Sequence, residues 1–115
     1  MVNITNDLGS ITITNEVVSN LAGDAATSCF GIKGMVGRSG SGPLQLLRRE
    51  SMSKGVEMRY NEDGSVSLDL HIGVDQGINI SAACRSIINE VRYKLQKNIG
   101  VPVRHVDVYV DTILG

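Results

Sequence analysis

The chain has 115 residues, two cysteines and a formal charge of −1, with 42% apolar and 20% charged side chains. That is the size of a single domain able to bury its own core, well away from disordered compositions and from the basic surplus of a phosphate-backbone binder. Two cysteines exclude a disulfide scaffold, and no apolar run approaches the roughly 20 residues that span a bilayer.

The opening Met1-Val-Asn-Ile-Thr-Asn-Asp7 lacks the basic-then-apolar order of a signal peptide, so a cytoplasmic protein is expected. From Gly9 to Thr14, Ile11 and Ile13 alternate with polar residues and predict a short strand. The period then becomes helical through Val17, Val18, Leu21, Ala22, Ala25, Ala26 and Cys29, with Thr14 or Asn15 as cap and Glu16 suited to the first turn.

The stretch Cys29-Phe-Gly-Ile-Lys-Gly-Met-Val-Gly37 comes after that helix. Glycines invite a phosphate-cradle reading, but a phosphate loop needs a strand before it, a helix after it and a lysine-serine or lysine-threonine pair, none of which is here. Gly31 through Gly37 therefore reads as a helix stop and a packed turn. Residues 38–54 read as a mobile loop holding one short helix, because Arg38-Ser-Gly-Ser-Gly42 is linker-like and Pro43 suits a helix start ahead of Leu44, Leu46 and Leu47.

After Gly55 the period is two. Val56, Met58 and Tyr60 share one face; beyond the Asn61-Glu-Asp-Gly64 turn, so do Val66, Leu68, Leu70, Ile72 and Val74, which predicts a β-hairpin. Asn79 or Ser81 can cap a second helix whose stripe is Cys84, Ile87, Ile88, Val91, Leu95 and Ile99, ended by Gly100 and Pro102. A last strand over Val103 to Ile113 points Val106, Val108 and Val110 inward and His105, Asp107, Tyr109 and Asp111 outward. The elements give one α+β domain over 1–115, a two-layer sandwich in β-α-β-β-α-β order. Two helices would cover one face of a mostly antiparallel four-stranded sheet, as in ferredoxin-like folds. In that order the strands carrying His71 and His105 are separated by the first strand.

The chemistry is sparse. Asp69 and His71 on one strand, with His105, Asp107, Tyr109 and Asp111 on another, project to the polar face and suggest a ligand- or metal-binding regulatory surface as the alternative reading. Alternating polar residues on the solvent side of a sheet is the more ordinary explanation, so no catalytic, cofactor or metal residue is assigned and no cofactor is expected. No nucleophile elbow occurs, and Cys29 and Cys84 lie on core-facing stripes, which points away from an enzyme. One phenylalanine and three tyrosines are too few for a base-stacking platform, so nucleic acid is not an expected partner. Charge is uneven: Lys33, Arg38, Arg48, Arg49, Lys54 and Arg59 stand against Glu50 and Glu57 between residues 33 and 59. With Leu44, Leu46, Leu47 and Met52, that segment suits an acidic protein partner or an anionic membrane surface.

The ordered segments Leu8-Gly-Ser-Ile-Thr-Ile-Thr-Asn-Glu-Val-Val18, Ala25-Ala-Thr-Ser-Cys-Phe-Gly-Ile-Lys-Gly-Met-Val36, Leu47-Arg-Arg-Glu-Ser-Met-Ser-Lys-Gly-Val56, Ser67-Leu-Asp-Leu-His-Ile72 and Ile99-Gly-Val-Pro-Val-Arg-His-Val-Asp-Val-Tyr-Val110 resemble the alkaline shock protein family of Gram-positive bacteria, in its small single-domain branch. The resemblance implies a cytoplasmic, non-enzymatic stress adaptor without catalytic residues or cofactor. It also implies an unidentified protein partner, self-association, and peripheral approach to the cell envelope through a partner or a link to lipid metabolism.

Overall fold

The computed structural model describes residues 2–38, 44–47 and 54–114. Strands β1 (Val2–Asn6) and β2 (Gly9–Ile13) precede helix α1 (Asn15–Thr27), followed by β3 (Ile32–Arg38), β4 (Leu44–Leu46), β5 (Val56–Tyr60), β6 (Val66–Asp75), helix α2 (Ile80–Ile99) and β7 (Val103–Leu114). The α+β, two-layer architecture stands, and its sheet is mostly antiparallel. Its strand content is larger than the pattern suggested: a five-stranded sheet and a separate two-stranded hairpin.

The expected first strand is β2, but it pairs only with β1, from Val2 opposite Ile13 to Asn6 opposite Gly9, and does not enter the main sheet. The hairpin is fastened through Val2, which is buried, and through Ile4 and Ile13, which pack against the core. Asn6 closes its turn by accepting hydrogen bonds from the Leu8 and Gly9 backbone.

Both helix starts agree with their caps. The Thr14 hydroxyl accepts from Val17 N–H, and the Asn79 side chain accepts from Ala82 N–H at 3.1 Å. Gly100 ends α2 in the left-handed conformation, φ 78°, its N–H returned to Gln96 O. At the end of α1 the cap is Ser28, and Gly31, φ 85°, turns the chain afterwards.

Beyond Gly31 the structure departs from the expected packed turn: Ile32–Arg38 is a strand. Of its glycines Gly37 is a spacer for a neighbour, because a Cβ there would lie 2.8 Å from Leu47 Cδ2, whereas one at Gly34 would meet Leu46 only at ordinary contact distance. The short helix expected after Pro43 is likewise replaced, at Leu44–Leu46, by strand β4, which pairs with β3 through Val36 opposite Leu46. Local propensity loses here to the open edge of β3, onto which Leu47 N–H also bonds through Met35 O at 2.8 Å. Residues 39–43 and 48–53, the rest of the expected loop, lie outside the described residues.

β6 organises the sheet. β7 runs parallel to it from Val66 to Asp75, with α2 as the crossover that a parallel pair requires. Because β7 occupies one whole edge, β5 and β3 share the other end to end: β5 along Val66–Leu70 and β3 along Ile32–Met35, opposite Val74–Ile72. Gly55 sits at their junction, where a Cβ would be 3.0 Å from both Met35 Cβ and Val36 O. The expected intervening strand between His71 and His105 is thus absent, since the first strand was drawn off into the hairpin.

Alternation divides the sheet. Val66, Leu68, Leu70, Ile72 and Val74 of β6 face Val18, Ala22 and Ala26 of α1 and Ile87, Val91 and Leu95 of α2, all within one buried cluster. Each valine, leucine and isoleucine among them contributes roughly 1.5–3 kcal/mol of burial. Ser67, Asp69 and His71 are left to the opposite, outer face.

Candidate functional site: the outer face of the sheet

Three strands supply the outer face. Register places Glu57, Asp69 and Asp107 side by side in one row, and Arg59, Ser67 and His105 in the next. Like charges directly opposite each other repel, and Arg59 relieves the repulsion by reaching across the row. Its Nη1 donates to Asp69 Oδ2 at 2.5 Å and its Nη2 lies 3.9 Å from Asp107 Oδ2. The hydrogen bond to Asp69 raises the guanidinium above its already high ordinary value. Asp69 is only 8% exposed, and its other oxygen is buried with no hydrogen-bond partner among the described residues.

One row further along, His71 stacks on Tyr109, ring centroids 5.0 Å apart and planes 14° from parallel. His71 Nδ1 and Asp111 Oδ2 are 2.9 Å apart. Asp111 reaches this position through a register shift: Ile72 faces Val110 but Gly73 faces Thr112, so Asp111 is the extra residue of a β-bulge that re-aims its carboxylate.

The structure therefore gathers most of the polar residues noticed in the sequence, but into two groups. Asp69 and Asp107 meet through Arg59; His71, Tyr109 and Asp111 meet directly. His105 stands with Ser67, four residues along the sheet from the His71–Tyr109 row, which is about 13 Å at the ordinary strand rise. The two histidines do not converge, and among the described residues no three histidine, cysteine or carboxylate side chains gather around a possible metal position. Arg59 was the member sequence reasoning missed. Its signal was the period of the hairpin, which puts Glu57 and Arg59 on the face opposite Val56 and Met58.

The basic segment is partly spoken for: Lys33 Nζ lies 3.4 Å from Asp75, and Arg59 belongs to the acidic row. Arg48 and Arg49 fall outside the described residues. Cys29 and Cys84 are free thiols, both partly buried, and burial pushes both above their ordinary value, with Glu90 adding to the effect at Cys29. A groove of about 480 Å³ runs beside the start of α2 between Phe30, Gly77, Ile78, Ala82 and Ala83, with Phe30 92% exposed at its rim. Among the described residues, no helix is long and apolar enough to cross a membrane.

Related sequences match nearly the whole chain. The uncharacterised protein YloU of Bacillus subtilis is 36% identical over 107 residues, 91% of this chain and 88% of that protein. The uncharacterised Spy1614 of Streptococcus pyogenes is 31% identical over the same shares. A solved structure, the MamM C-terminal domain carrying H285A, superposes with a TM-score of 0.52 at 19% identity, covering 86% of this chain and 98% of that one, which is a likeness of fold. A profile for the alkaline shock protein 23 family, described as having a cell envelope-related function, matches residues 3–114, and with it the resemblance is borne out: the chain belongs to the alkaline shock protein 23 family.

Proposed function

We propose that this protein is a non-enzymatic adaptor or scaffold module that acts in the cytoplasm through protein–protein contacts at or near the cell envelope, in stress response or lipid metabolism. The observation that carries the reading is the outer face itself. Among the described residues both helices lie on one side of the sheet, while on the other Arg59, Asp69 and Asp107, and His71, Tyr109 and Asp111, are ordered by contacts among themselves. A face that is ordered and carries a half-exposed tyrosine, Tyr109 at 47%, suits recognition of another surface. The family's envelope-related function supports the same direction.

Co-sedimentation of the purified protein with an envelope fraction tests it. Tyr109→Ala and Arg59→Glu are expected to lower binding, whereas Tyr93→Ala, an exposed change on α2, leaves it unchanged. No co-sedimentation of the wild type, or equal binding by all variants, overturns the reading.

A ligand- or metal-binding regulatory role has one observation in its favour, the unpartnered buried oxygen of Asp69. A ligand bound by the native state alone must raise the melting temperature, so divalent-metal titration followed by thermal unfolding decides it. No shift at saturating metal removes that role.

A further inference from the structure

Among the described residues three strands of the main sheet have a free edge, and β7 is by far the longest, twelve residues against five in β5 and three in β4. Among the described residues it pairs with β6 alone. Alternate backbone N–H and C=O groups along its other edge face outward, a ready template for a further strand. Proteins blunt such edges with lysine, proline, other charges or bulges; Val103–Leu114 has no lysine or proline, and its two bulges lie toward its ends. Its charges are of both signs, and it is interrupted at its ends: the register shifts at Arg104, whose carbonyl accepts from Arg92, and again at Asp111. Between them Val106–Val110 is regular and centred on Val108.

We propose that two copies of this chain pair their β7 edges antiparallel about a two-fold axis at Val108, joining the two five-stranded sheets into one. The side chains select that register. With the axis at Val108, His105 and the bulge residue Asp111 of the second copy come together just beyond the regular segment, twice by symmetry. Asp107 then faces the tyrosine at 109 of the second copy, and Val106 faces Val110 on the helix side. Moving the axis to Asp107 sets two carboxylates face to face, and moving it to Tyr109 sets Asp107 against Asp111 twice. Cross-strand pairs of like charge are unfavourable and opposite pairs favourable, so the Val108 register is preferred over its neighbours.

The consequence reaches the outer face. His105, which stands apart from the His71–Tyr109–Asp111 group within one chain, joins that group across the axis, so the candidate site is completed by the second copy. The proposal rests on the adaptor reading only for its purpose; envelope binding and dimer formation are measured separately, and either fails without the other.

Sedimentation velocity from about 1 to about 500 μM, with amide hydrogen exchange at both ends of the range, tests it, since an interface this small is expected to dissociate in about the micromolar range. Wild type is expected to pass from monomer to dimer, with slower exchange at high concentration confined to alternate amides between His105 and Asp111. His105→Asp, a change at an exposed ring, replaces attraction by repulsion at both symmetric contacts and is expected to weaken the dimer about tenfold or more. Adding Asp111→Asn to His105→Asp recovers part of the loss. A monomer across the whole range overturns the proposal. So does a dimer without concentration-dependent protection in β7, or one indifferent to His105→Asp; the wild-type exchange result stands by itself if the variant does not fold.

Discussion

Asp111 holds His71 from the neighbouring strand at 2.9 Å, and it does so only because a bulge in β7 inserts it as an extra residue between Val110 and Thr112. The imidazole is fixed twice, by that carboxylate and by the Tyr109 ring on which it stacks. Both partners are largely shielded, the side chains 29% and 24% exposed, so the hydrogen bond is less screened than a surface pair. Asp111→Ala is expected to cost about 1–2 kcal/mol, and Asp111→Asn, which keeps an acceptor, less. His71→Phe should fall between, since it retains the stack and loses the bond. Urea unfolding with an unchanged m-value checks the order. Equal stability of all three would mean that the pair contributes nothing.

Asp69 and Arg59 make the opposite kind of pair, one partner buried and the other half in solvent. Removing the guanidinium leaves a carboxylate at 8% exposure with neither oxygen bonded. An uncompensated buried charge is worse than a neutral group of the same shape. Arg59→Met is therefore expected to be less stable than the double variant Arg59→Met with Asp69→Asn. Thermal unfolding of both settles the ranking, and the reverse order would show that Asp69 is adequately solvated without Arg59.

The parts of the fold with a strong period were legible in the sequence: the β5–β6 hairpin, both helices with their caps at Thr14, Asn79 and Gly100, and the alternation that sends Asp69, His71, Asp107 and Tyr109 to one face. What was hidden depends on pairing at a distance. Ile32–Arg38 has two glycines in one turn-like stretch, and pairing with β6 on one side and β4 on the other makes a strand of it. β1 was read only as a chain start, although Val2 and Ile4 alternate and an Asn-Asp-Leu-Gly turn comes next. Drawing β2 into that hairpin changed the neighbours of β6, and with them the composition of the outer face. The Asp111 bulge arises from that neighbourhood and has no local sequence signature, whereas the hairpin period places Arg59 on the outer face without showing which carboxylates it reaches.

Gly55 marks the place where β3 and β5 abut along β6. A Cβ there meets Met35 Cβ and Val36 O at 3.0 Å and His71 O at 3.4 Å, and two of those three atoms are backbone that cannot swing aside. Gly55→Ala is expected to destabilise by about 1–3 kcal/mol through forced separation of the two strand ends. Because His71 is one of the crowded residues, chemical shifts of His71 and Tyr109 should move in the same variant. Wild-type stability would show that the junction opens without cost.

The thiols give the alkaline limb of stability. Burial raises Cys29 and Cys84 above 9.0, and burial raises Tyr60 above 10.0. For a group whose folded value is raised, the stabilisation is full below the unfolded value and is lost as pH rises through the folded one. Stability should therefore fall above about pH 9, and Cys29→Ala with Cys84→Ala should flatten that fall. Thiol labelling at pH 8 should be slower in the native protein than in urea, slowest at Cys29, where Glu90 adds to burial. Native labelling as fast as in urea would contradict the shielding.

The acid limb has a different origin, in the turn between β5 and β6. Asp63 accepts from the Ser65 hydroxyl at 2.6 Å and from Ser65 N–H at 3.0 Å, and these bonds to its ionised form hold it below 3.8. A depressed carboxylate contributes stability that is present above its unfolded value and is lost as pH falls through the folded one. Between about pH 5 and about pH 2 the wild type should lose stability more steeply than Asp63→Asn, whose amide has no charge to lose. Ser65→Ala removes both the hydroxyl donor and its bond to Asn61, so it should be less stable than wild type at pH 7 and show a shallower acid limb. Parallel acid limbs in wild type and Asp63→Asn would place the acid sensitivity outside this turn.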